Sequence, residues 1–180
     1  FIDRVANYRD YDSAGQPVNG KFAEAFEAEL SELAKAPQYR DLVWLKEPIN
    51  RLHNGYFAAD KKKVGGKVVE FLKDTRGDTQ ADDDVYNLIM KEKERLLSLD
   101  EPLRFIFSHS ALREGWDNPN VFQICTLNES QSTVKKRQEI GRGLRLPVDQ
   151  NGLRVFDDSV NKLYVMANES YEDFARRLQA

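Results

Sequence analysis

Three short runs constrain this chain more than anything else in it: RFIFSHS (104–110), VFQICTLN (121–128) and KLYVMAN (162–168). Each is apolar almost throughout, where a strand with one face in water would alternate. Strands of that kind need cover on both faces. The segments around them supply it. ESQSTVKKRQEIGRGLRL, 129–146, has helical character, with Ser130 or Ser132 placed to cap it. SYEDFARRLQ closes the chain as another helix, with Ser170 and Asp173 as a capping pair. Upstream, Phe22, Ala25, Phe26, Leu30 and Leu33 recur at helical spacing until Pro37, and Val85, Leu88, Ile89, Leu96 and Leu97 do the same. The expected fold class is α/β: a mostly parallel sheet covered by helices on both faces.

The remaining stretches read less regularly. Residues 1–20, with Asp10, Asp12, Gly15, Pro17 and Gly20, have the chemistry of an arm or linker. Residues 49–58 read as a strand. Residues 61–84 begin basic, contain Gly65 and Gly66 and end acidic; they are expected to form an insertion holding one strand, VVEFL.

Composition removes several function classes. The net charge of −3 is not that of a protein gripping nucleic acid through bulk electrostatics, so any such contact must be local. The single Cys125 forms no internal disulfide framework and suits a reducing, cytoplasmic setting. No apolar run reaches bilayer length, and the opening residues lack the layout of a signal peptide, so the chain reads as part of a longer polypeptide with no membrane partner. Two histidines and one cysteine make no zinc set, and no metal ligands are expected. Asp82, Asp83 and Asp84 read as a solvated acidic loop. His109 and Ser110 are neighbours on a strand, so they face opposite ways and form no catalytic dyad.

Chemistry concentrates in two places. Gln138, Gly141, Arg142 and Arg145 have the spacing i, i+3, i+4, i+7, which on a continuous helix is one face. A packing helix would gain about 1 kcal/mol from alanine at each of Gly141 and Gly143. Arginine presents a planar fork that matches phosphate oxygens two at a time. The second place is the loop SALREGWDNPNV after RFIFSHS. There Gly115 permits close backbone approach and Asp117 can accept hydrogen bonds from a sugar hydroxyl. In parallel sheets, ligands sit at the carboxyl ends of strands, which is where this loop lies. The plain alternatives are a solvated basic helix face and an ordinary Asp-Asn-Pro turn.

SALREGWDNPNVFQICTL followed by QEIGRGLRL resembles motifs V and VI of superfamily 2 helicases and translocases, and is especially similar to the restriction (Res) subunit of Type III restriction enzymes. HNGYFAADKK, 53–62, resembles the motif IVa region of the same group. The resemblance spans roughly 53–146. It implies the second RecA-like domain of such a motor over residues 21–180, with 1–20 linking to a preceding motor domain. It implies that Gly115, Asp117 and Gln138 face ATP, and that Arg142 and Arg145 contact its phosphates, one as the arginine finger. His53, Asn54, His109 and Ser110 would lie nearer the DNA backbone. No GxxxxGK[ST] occurs in the chain. The resemblance therefore assigns most of the grip on ATP and Mg²⁺ to the preceding domain, and predicts that the chain alone hydrolyses no ATP. A methyltransferase (modification) subunit and DNA are the implied partners. Another superfamily 2 helicase, or a degenerate RecA-like platform, are the alternatives.

Overall fold

A computed structural model of the chain describes residues 1–57, 59–64, 67–72, 96–109, 118–127, 137–138, 140–141, 143–166 and 176, with the side chains of 59–64 and 67–72 excepted. Within them, strands β1 (Arg9–Tyr11) and β2 (Pro17–Asn19) form an antiparallel pair that leads into helix α1 (Lys21–Lys35). A turn of helix, α2 (Ile49–Leu52), runs directly into β3 (His53–Tyr56). β4 (Ala59–Val64) and β5 (Lys67–Leu72) pair antiparallel. β6 (Phe105–Ser108), β7 (Gln123–Cys125) and β8 (Tyr164–Met166) follow.

Two parallel pairs position everything else. β3 runs parallel to β6, with His53 opposite Phe105 and Tyr56 opposite Ser108. β7 runs parallel to β8, with Ile124 opposite Val165. The backbone of residues 1–2 stitches the pairs together. Ile2 N–H donates to Ser108 O (2.9 Å), the Phe1 nitrogen donates to Cys125 O (2.6 Å) and Leu127 N–H donates to Phe1 O (2.8 Å). Among the described residues, parallel and antiparallel pairs with interspersed helices are compatible with the expected α/β class.

The first residues belong to the core. Ile2, Val5 and Tyr8 are buried with Ala23 and Phe57, and Phe22 and Phe107 pack against them. Only 12–16 behaves as the free-standing turn that its composition suggests: Asp12 Oδ1 accepts from Ala14 and Gln16 N–H, and Gly15 takes φ +74°. α1 lays Phe26 across the β3/β6 pair, with ring centroids 4.9 Å from Phe105 and 5.5 Å from Phe107. Tyr8 meets Phe107 at 4.5 Å. Such ring pairs contribute about 0.5–1.5 kcal/mol each beyond their burial. Leu33, expected on the packed face, is 46% exposed; the inward residues are Ala23 and Leu30. The other face of the β3/β6 pair carries Tyr56 and Ile106, against Phe1, Leu103 and Val121.

Two expectations need correction. The 61–84 insertion, expected to hold one strand, holds β5 and most of β4, an antiparallel pair that begins ahead of it at Ala59. ADKKKV reads as polar, but hairpin pairing satisfies its backbone without an apolar face. The helix expected over 129–146 does not reach 146. Residues 137–138 and 140–141 are helical, Gly143 N–H closes back on Ile140 O (3.0 Å), and 143–146 leave the helix. The tighter three-residue bond and Pro147 beyond it explain the stop. Arg145 therefore does not share a helical face with Gln138 and Gly141.

Candidate functional site

The chain leaving that helix is fixed on both sides of Arg145. Upstream, Ile140 is buried against Leu163 and Val165, the inward residues before and within β8. A Cβ on Gly143 would collide with the Leu163 side chain. That bears on one of the two glycines: a side chain at 143 would require Leu163 to shift. The other behaves differently. Nothing lies within 4 Å of a Cβ built on Gly141, which is exposed beside the exposed Gln138.

Downstream, residues 147–155 fold back on themselves. Val148 bridges Arg154 antiparallel, Val155 N–H donates to Pro147 O (2.9 Å) and Arg154 Nη1 donates to Leu146 O (2.6 Å). Asp149 organises the tip. Its Oδ1 accepts from Asn151 N–H (2.8 Å) and Leu153 N–H (2.9 Å), and Gly152 takes the left-handed turn position at φ +77°. The Leu153 bond first, with those from Asn151, holds the Asp149 carboxyl below its ordinary value. Gln150 reaches from the tip to Leu97 O (3.2 Å) and accepts from Leu99 N–H (3.3 Å).

Asn120 joins this excursion to the loop after β6. Its Nδ2 donates to Val148 O (3.1 Å) and its Oδ1 accepts from Val148 N–H (2.9 Å). Asn120 N–H in turn donates to Oδ1 of the buried Asn118 (2.9 Å). The last residues of WDNPN thus meet the chain three residues beyond Arg145. A groove of about 270 Å³ opens beside them, lined by Phe122, Gly143, Arg145, Pro147, Lys162 and Leu163 among others.

Arg145 is exposed and lines this groove; Gln138 and Gly141 are exposed as well. Gly115, Asp117, Ser110 and Arg142, and with them Arg113, Glu114 and Trp116, lie outside the described residues. The residues expected nearer DNA separate. Asn54 is exposed on β3, its Oδ1 accepting from Gly55 N–H (2.8 Å), and His109 is half-buried at the end of β6. His53 is 6% exposed and faces inward. Its Nδ1 lies 2.8 Å from the Tyr8 hydroxyl, and its Nε2 lies 3.0 Å from Glu27 Oε1, which also accepts from Asn19 Nδ2 (2.9 Å). An Nε2–H tautomer, donating to the carboxylate and accepting from Tyr8, satisfies every group in that chain. His53 is therefore a core residue that ties residue 8, α1 and β3 together, corrected from a surface contact by its burial. Among the described residues no three acidic, histidine or cysteine side chains are grouped to hold a metal ion.

Sequence patterning did not reveal the two amide clamps. Asn118-Pro119-Asn120 carries turn chemistry, and nothing local indicates that Asn120 reaches a residue 28 positions away.

No family profile matches the chain, and no solved structure matches it. Curated proteins do. It is 43% identical over 168 residues, 91% of its length, to the Type III restriction-modification enzyme EcoP15I Res subunit of Escherichia coli. It is 42% identical over 168 residues to the EcoPI Res subunit of Escherichia phage P1, and 37% identical over 178 residues to the StyLTI Res subunit of Salmonella typhimurium. It spans 16% of the length of each of these relatives. Over about nine tenths of its length the chain is thus homologous to one segment of the Res subunits of Type III restriction-modification enzymes.

Proposed function

We propose that this chain is the second, RecA-like motor lobe of a Type III restriction enzyme's Res subunit. In that role it lends arginines to an ATP site shared with a preceding lobe, and DNA-backbone contacts to a translocase. The observation that carries the reading is the Asn120–Val148 clamp, which draws the end of the WDNPN loop onto the segment bearing Arg145. Two motifs that the resemblance assigns to one nucleotide rim thereby have a common edge. The exposure of Arg145, Gln138 and Gly141, and the open space over Gly141, suit a surface that a second lobe closes upon.

The residues fit a half-site. Arginine forks and a glycine-lined approach suit phosphate oxygens. Mg²⁺ and the terminal phosphates are gripped mainly by the preceding lobe. ATP, when bound, supplies the phosphoryl group. What Arg142 and Arg145 do is hold positive charge where negative charge shifts, and one of them is the finger. Such a residue supplies roughly 10³–10⁵ in rate, or about 4–7 kcal/mol of barrier. Gly115, Asp117 and Gln138 line the nucleotide side. Asn54, His109 and Ser110 face the DNA side, and His53 supports Asn54 from within. The parent enzyme works on DNA in the cytoplasm beside a modification methyltransferase, and this segment alone turns over no ATP.

The test is DNA-stimulated ATPase activity of the full-length protein carrying Arg142→Ala or Arg145→Ala. At least one variant is expected to fold normally and lose about 10³-fold or more of its turnover. Wild-type turnover in both removes the reading.

A further inference from the structure

Asn120 holds one residue, Val148, through both its N–H and its C=O, and the place where it does so is unusual. The segment Leu144–Leu146 is short and anchored at each end. Gly143 bonds back to Ile140 O and lies against the Leu163 side chain, and the chain resumes at the buried Pro147. From Pro147 onward the backbone is bonded on one flank by the returning strand, through Val155 N–H to Pro147 O and the Val148–Arg154 bridge. The other flank is bonded by Asn120 alone among the described residues, through Val148 N–H and C=O. Asn120 is itself set by the bond from its own N–H to Asn118 Oδ1. Arg145 sits in the middle of this span.

We infer that Asn120 is a positioning residue for Arg145, fixing the downstream end of the segment that presents the guanidinium to phosphate. The inference rests on the motor reading above and adds a residue to it. An amide is the side-chain group that offers a donor and an acceptor in the spacing of a peptide; a carboxylate offers acceptors only. Without it, Val148 swings about the hairpin instead of being held from both flanks. A displacement of about 1 Å at a catalytic group costs about 10²-fold in rate. The cost falls on the step in which charge shifts, so it appears in turnover while ATP affinity stays close to that of the unaltered enzyme.

The experiment uses the full-length enzyme with DNA and ATP. Asn120→Ala is expected to lower kcat about 10- to 100-fold with KM for ATP changed less than about threefold. Asn120→Asp keeps the bond from Val148 N–H, loses the one to Val148 O, and is expected to fall between. Adding Asn120→Ala to Arg145→Ala is expected to cost nothing more, because both remove the same interaction. A purely structural role would lower the melting temperature and the yield of folded enzyme without splitting kcat from KM. It would also multiply with Arg145→Ala. Those results, or an unimpaired Asn120→Ala enzyme beside a crippled Arg145→Ala one, overturn this inference and leave the motor reading standing. Normal turnover by Arg145→Ala overturns the assignment of Asn120 as its positioner, and with normal turnover by Arg142→Ala it also removes the motor reading.

Discussion

The hydroxyl of Tyr8 lies 2.8 Å from Nδ1 of His53, joining the beginning of the chain to the first strand of a parallel pair inside the core. Tyr8→Phe keeps the ring contacts with Phe57 and Phe107 and removes this bond, leaving a buried imidazole nitrogen unsatisfied. The expected loss is about 1–3 kcal/mol, read as a lower denaturant midpoint with an unchanged slope.

Burial also pushes the Tyr8 phenol from its ordinary 10.0 up to about 12. A raised value means that the folded state holds the proton more tightly, so this contribution is complete below pH 10 and is lost as pH rises toward 12. The stability difference between wild type and Tyr8→Phe is expected to be flat below that window and to shrink across it. A difference that stays constant through strong alkali contradicts the assignment.

Gly141→Ala and Gly143→Ala, two residues apart, are expected to act in opposite directions. A methyl at 141 meets nothing within 4 Å and gains helix propensity, so stability rises by up to about 1 kcal/mol. A methyl at 143 meets Leu163 and is expected to cost about 1–3 kcal/mol. Thermal melts of the two variants decide it, and equal shifts would be inconsistent with the packing described.

Gly20 closes the turn before α1, its N–H donating to Tyr8 O (2.9 Å). A Cβ there would strike the backbone at Ala6 and Asn7, which cannot swing aside as a side chain does. Gly20→Ala is expected to destabilise by roughly 3 kcal/mol or more, at the upper end of overpacking costs. A near-neutral variant would mean that residues 6–7 yield easily.

Asp149→Ala removes the acceptor for Asn151 and Leu153 N–H at the tip of the 147–155 excursion. Amide exchange at both positions is expected to quicken while exchange within β7 and β8 stays as it was. The same carboxyl sits below its ordinary value, so its contribution is complete above that ordinary value and is lost as pH falls through the lowered one. Unchanged exchange at Leu153 would argue that the Val148–Arg154 bridge suffices alone.

What could be read from residues alone followed from period and punctuation. FIFS, QIC and YVM are strands where continuous apolar runs predicted them, and Pro37 stands just past the end of α1. The misses have a common physical source. Ile2, Val5 and Tyr8 show no strand or long-helix period, and are core because of Phe57 and Phe107, which lie far along the chain. Helical spacing extended the arginine helix to 146; Leu163 and Pro147 end it sooner. His53 looked like a surface polar residue until Tyr8 and Glu27 supplied its partners. For the proposed site, Arg145 stands out by residue type, whereas Asn120 depends on a contact that only folding makes.

Phe1 and Ile2 are stitched to Ser108, Cys125 and Leu127, the bond from Phe1 to Cys125 closing a separation of 124 residues. Within this segment those two residues are made well before their partners. β3 and β6 can pair once residue 108 is made, but the seam to β7 waits for the polypeptide as far as residue 127. Contacts of such long range are late and slow to form. Until then the cluster of Tyr56 with Phe1, Leu103, Ile106 and Val121 is incomplete.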